Sequence, residues 1–279
     1  MNKTTLITTF VIIGCIVTLI ASYNIYQSRI QSIANPTETE PDKANSKDQQ
    51  GTKNNKAADK EKIPTKSESL SSNEIISLTA NMSDEASAVV TSRLESGEKI
   101  QLLVIGSSSI EAGNPAYGEL LITNISEAYG DWIETTTVTY SGTIADLSTD
   151  IDGKLVNWSN DFDIVLLEGM NLENNGQVVV EDSIDHVEII NNQMKQNVSD
   201  AVLIVHPSQP LASAMFYPKE VESFKSYLTS RGYTYIDHWA NWPVGNVDEM
   251  NTYLTEESVP NAKGAELWAA ALTTFFTGK

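Results

Sequence analysis

The residues of this chain with the most chemical potential are a run of hydroxyls on a glycine turn, Gly106-Ser107-Ser108-Ser109. Further candidates are Ser141-Gly142, Glu168-Gly169-Met170-Asn171, His206 and the pair Asp237-His238. A serine, a glycine amide, an asparagine amide and an imidazole form a set suited to acyl transfer. The hydroxyl attacks, the amides hold the oxyanion and the ring takes the proton. Taken alone, the serine turn reads equally well as a strand-to-helix connection that caps the next helix.

These residues act together only if the elements before them end at one edge. Ile100–Ile105 is a short apolar run closed by the serine turn, the pattern of a buried parallel strand. Four more strands are expected at about 132–140, 163–167, 201–205 and 233–236. Helices are expected near 84–94, 117–128, 145–158, 183–196, 219–230, 247–254 and 261–275. Alternation at this spacing predicts an α/β three-layer sandwich, a five-stranded parallel sheet covered by helices on both faces. Its strands all end on one edge, where such folds carry their sites. Every candidate above follows one of these strands.

Composition narrows the classes. The chain has 279 residues and a formal charge of -19. Residues 1–70 carry nine Lys/Arg against seven Asp/Glu, and the remainder nine against thirty. So acidic a body repels phosphate backbones, which argues against nucleic acid as a partner. The single cysteine, Cys15, permits no internal disulfide. No CxxC or HExxH spacing suggests a metal, and no metal or cofactor is expected.

Residues Thr4 to Tyr23 carry no charge. As a helix they span about 30 Å, enough for the hydrocarbon core of a bilayer. The expected organisation is a short cytoplasmic N-terminus (1–4), a transmembrane anchor (5–23), a disordered linker (24–72) and a folded domain (73–279). A cleaved signal peptide and a lipobox at Ile13-Gly14-Cys15 are the competing readings of the first segment. Within the linker, residues 31–72 are polar and proline-bearing and have too few apolar groups to offset the entropy of ordering. The expected location is the cell membrane, single-pass, with the C-terminal domain outside, as on a Gram-positive bacterial surface.

Over residues 98–276 the chain resembles the SGNH/GDSL hydrolase superfamily of esterases, lipases and carbohydrate deacetylases, and the resemblance implies a flavodoxin-like α/β fold. Its Gly-Asp-Ser block is matched by Gly106-Ser107-Ser108, its glycine block by Gly142, and its Gly-x-Asn-Asp block by Gly169-Met170-Asn171-Leu172. The resemblance implies Ser108 as nucleophile, with Gly142 and Asn171 as oxyanion donors. It implies ester hydrolysis on acylated carbohydrate or lipid, O-acetyl groups included. The last block departs from the pattern. Where the family has Asp-x-x-His before Pro-Asn-x-x-Gly, this chain has Glu256-Glu257-Ser258-Val259 before Pro260-Asn261-Ala262-Lys263-Gly264. Valine accepts no proton. A substitute base is expected at His238, or second at His206; otherwise the chain is a non-catalytic, carbohydrate-binding relative. The competing reading makes both histidines structural. Glu168 and Glu111 are further carboxylates near the edge. His186 is expected to face solvent, and Met215-Phe216-Tyr217-Pro218 to cover the core, with lining a substrate cleft as the competing reading.

Overall fold

The computed structural model describes residues 71–152 and 155–279. The expected anchor and most of the linker lie outside them. Among the described residues no helix is long and apolar enough to cross a membrane.

Five parallel strands form one sheet in the order β2-β1-β3-β4-β5. They are β1 (Ile100–Gly106), β2 (Ile133–Thr139), β3 (Ile164–Glu168), β4 (Val202–His206) and β5 (Thr234–Tyr235). The register pairs Gly106 with Thr139 and Glu168 with His206. The carboxyl ends therefore lie level along one edge, with the order reversing at β1. Helices α1 (Ser72–Leu78), α2 (Asp84–Ser96), α3 (Tyr117–Tyr129), α4 (Ile144–Asp150) and α5 (Asn171–Asn174) come first along the chain. They are followed by α6 (Val180–Asn197), α7 (Tyr217–Ser230), α8 (Val247–Met250) and α9 (Ala262–Thr277).

Alternate strand residues feed two cores, as a sheet covered on both faces requires. Leu102, Val104, Ile164, Leu166 and Ile204 pack with α2, α3 and α9. Leu103, Ile105, Val165, Leu167 and Val205 pack with α4, α6 and α7. The helices start and stop on local signals. Ser83 accepts from Ala86 N (3.4 Å) ahead of α2, and Gly97 closes that helix at φ 69°. Asn261 caps α9 through Lys263 N (3.0 Å) and Gly264 N (3.3 Å).

Several expectations change. The helix expected over 145–158 ends at Asp150, because the Asp-rich segment that follows leads into a bridge between Asp152 and Val156. The helix expected at 183–196 begins at Val180. His186 is half-buried, with Nδ1 2.8 Å from Ser148 Oγ. Of the segment expected to cover the core, Tyr217 is buried, but Met215 and Phe216 stand 77% and 69% exposed just before α7.

At the opposite sheet edge, Arg93 binds Glu98, Asp161 and Asp163, each at 2.6 Å. Asp163 is buried and also accepts the Gln101 N–H at 2.8 Å. Burial holds its carboxyl above the ordinary value despite Arg93. Arg93→Ala strands that carboxylate, and we expect it to cost about 2–3 kcal/mol in urea unfolding. Glu98→Ala, an exposed partner, should cost under about 0.5 kcal/mol. Equal losses from the two variants would refute this account.

Candidate active site

The site grows from the end of β1. Gly106 lacks a side chain where space is short. A Cβ there would sit 3.1 Å from both Glu168 Oε2 and Tyr117 Oη. Ser107 is buried and caps the following 3₁₀ turn, Ser108–Glu111, accepting from Ser109 N at 3.2 Å. That turn directs Ser108 outward, and Ser108 is exposed. Neither its hydroxyl nor its backbone N–H makes a hydrogen bond among the described residues.

Two neighbouring loops complete the edge. After β2 the chain is tied to β1 by Tyr140 N donating to Gly106 O (2.9 Å), and it reaches Gly142 at φ 157°. The Gly142 N–H has no partner among the described residues. Thr143 then starts α4 with a capping box to Asp146. After β3, Met170 adopts φ 50° and presents Asn171 at the start of α5. Asn171 Oδ1 accepts from Ser208 N at 3.2 Å, which fixes the amide plane. Its Nδ2 makes no hydrogen bond among the described residues. Ser108 Oγ and three N–H donors, that of the buried Asn171 included, thus make no hydrogen bond among the described residues and lie on three adjacent loops.

Both candidate imidazoles are turned into the core. His206 is fully buried; its Nδ1 donates to Pro207 O (3.0 Å) and its Nε2 has no partner among the described residues. His238 is also fully buried; its Nε2 donates to the same carbonyl (2.9 Å), and its Nδ1 accepts from Trp242 Nε1 (3.1 Å). Its ring stacks on Trp268 with centroids 4.5 Å apart. Burial brings His206 down to about 4 and His238 well below the ordinary histidine value. Both rings are neutral at pH 7, and neither is hydrogen-bonded to Ser108. The expected base is therefore not delivered by either histidine. The turn after β5 faces His238 inward beneath Trp242, and His206 lies on the strand face that packs on Trp268.

Val259 lies half-buried in the loop before α9. The Leu254–Pro260 bridge and Asn261 N donating to Tyr253 O (3.0 Å) hold that loop. Gln209 Nε2 reaches Ser258 O at 3.4 Å and links it to the loop after β4.

Sequence reasoning did not single out the group at the centre of these loops. Glu168 is fully buried and accepts Ser107 N (2.9 Å), Ser107 Oγ (3.0 Å) and Ser208 Oγ (2.6 Å). Burial first, then the charge of Glu173, push it up to about 7 against those hydrogen bonds. A carboxylate closing an otherwise apolar strand, Ile164-Val-Leu-Leu-Glu168, was the available signal. Glu111 instead accepts from Thr139 Oγ1 (2.8 Å) at the exposed rim.

No family model and no curated protein sequence matches the chain. Solved structures do. A lipase from a goat rumen metagenome aligns with TM-score 0.52 and 13% identity, over 65% of this chain and 99% of that one. A carbohydrate esterase family 3 structure from Talaromyces cellulolyticus aligns with TM-score 0.51 and 18% identity, over 62% and 94%. A structure from Desulfitobacterium hafniense, titled as a lipolytic protein of the G-D-S-L family, aligns with TM-score 0.50 and 14% identity, over 63% and 99%. At these identities the likeness is one of fold. The fold is that of the SGNH/GDSL lipases and esterases.

Proposed function

We propose that this chain is an extracytoplasmic serine esterase of the SGNH type, acting slowly on ester groups of acylated carbohydrate. The carrying observation is the set at the carboxyl edge: an exposed Ser108 and, on adjoining loops, N–H groups of Ser108, Gly142 and Asn171 that make no hydrogen bond among the described residues. Ser108 Oγ adds to the ester carbonyl, and the three donors take the developing oxyanion. The alcohol leaves, and water then releases the acid from the acyl-serine. Without an imidazole, solvent takes the hydroxyl proton. The carbohydrate esterase fold neighbour supports an acylated sugar, and lipid esters remain within the same chemistry. The uncharged segment 4–23 supports membrane anchorage with the domain outside the cell.

A second reading has its own observation. Val259 and two inward-facing histidines suit a protein that binds acylated glycan without cleaving it. Model acetyl esters decide between the two. The first reading predicts hydrolysis that Ser108→Ala lowers at least tenfold, and fluorophosphonate labelling of Ser108. The second predicts no Ser108-dependent turnover, with glycan binding unchanged in Ser108→Ala.

A further inference from the structure

Glu168 is the last residue of β3, and its carboxylate joins the two loops that flank Asn171. Through Ser107 it holds the turn that carries Ser108. Through Ser208 Oγ it holds the loop whose backbone N–H fixes Asn171 Oδ1. We propose that Glu168 is the positioning residue of this site, and that it draws Ser108 and Asn171 into register only as the carboxylate. This rests on the esterase reading for the meaning of that register, although the clamp itself is independent of it.

The hydrogen bonding sets the direction. Ser107 N–H is a fixed donor to Oε2, and Ser208 Oγ is its close donor to Oε1. Ser107 Oγ is already an acceptor for Ser109 N. A proton on either oxygen of Glu168 must itself be donated, and unless Tyr117 Oη takes it, one of these bonds is lost or reverses. Charged acceptors form the stronger bonds, so the neutral acid holds both loops less firmly.

Groups face Glu168 from every packed element. Tyr117 lies beside it from α3, and Tyr217 from α7. Glu173 repels it from α5, and neutral His206 is its register partner on β4. No cation is among them. The carboxyl therefore changes charge near neutrality rather than near its ordinary 4.5. A glutamate whose proton is held to about pH 7 in the fold and lost near 4.5 in the unfolded chain has a definite sign. Its contribution to stability is complete below 4.5 and is lost as pH rises through 7. Assembly of the site and stability of the fold thus pull opposite ways on one proton.

The test uses the full chain as wild type, Glu168→Gln and Ser208→Ala, with two readouts. The first is hydrogen exchange of peptides covering 107–111 and 207–209, corrected for intrinsic rates. Wild type should be at least threefold more protected at pH 8 than at pH 6, with a midpoint near 7, and Glu168→Gln should show no such step. Ser208→Ala removes a donor to the charged form and should move the midpoint up by about one pH unit. The second readout is the pH profile of fluorophosphonate labelling of Ser108. It should follow the same midpoint in wild type and stay at least tenfold lower at pH 8 in Glu168→Gln. An exchange step kept in Glu168→Gln, or a midpoint unmoved in Ser208→Ala, overturns the clamp. Absent labelling with an intact exchange step overturns the esterase reading and leaves the clamp standing. If Glu168→Gln does not fold, the Ser208→Ala midpoint decides.

Discussion

Val259→His should raise Ser108-dependent hydrolysis of acetyl esters by about 10²-fold or more, the range of a positioned general base. The frame for that side chain is present without it. Thr255 N donates to Val259 O at 2.8 Å, Pro260 is buried, and the Leu254–Pro260 bridge closes the loop. None of these contacts uses the valine side chain. Glu256 lies exposed three residues earlier. The gain should appear in kcat more than in KM, and should vanish in Val259→His combined with Ser108→Ala. A folded Val259→His protein with unchanged kcat/KM would mean that this loop does not face Ser108.

The largest expected loss of stability follows from Trp268. It is fully buried on α9 and stacks on Tyr117 with centroids 4.0 Å apart and on His238 with centroids 4.5 Å apart. Trp268→Ala removes the body on which both rings rest. A cost of about 4 kcal/mol is expected, with a melting point lower by ~10–15 °C. Trp268→Phe keeps an aromatic face and should lose less than half as much. A loss below about 1 kcal/mol for the alanine variant would show that the cluster collapses to fill the space. Because Tyr117 and His206 adjoin this ring, the alanine variant should also loosen the floor beneath Glu168.

The sheet was legible because burial on both faces writes itself into unbroken apolar runs. Ile164–Leu167 and Val202–Val205 show it, and the residues after such runs fall on one edge. The positions of Ser108, Gly142 and Asn171 follow from that rule with no knowledge of side-chain directions. The histidines did not yield to it. Whether His238 points outward or beneath Trp242 depends on the path of a four-residue turn, which periodicity does not encode. Met215 and Phe216 failed for a related reason. Apolar type predicts burial only inside a regular element, and these two precede one. Glu168 was visible as an oddity, yet its role depends on Ser208, which is distant in sequence and reaches it only through the pairing of β3 with β4.

The ends of the described domain meet on one side. Gly113, just past the Ser108 turn, lies against Ala265 near the start of α9, so that helix begins at the edge that carries Ser108. It finishes at the other end of the sheet, where Tyr129 Oη donates to Phe276 O (2.6 Å) and Asn81 Nδ2 to Thr274 O (2.9 Å). The segment that leads in from residue 71 is therefore joined at the back of the molecule. Within the described residues, the N-terminal end and the Ser108 turn thus lie at opposite ends of α9.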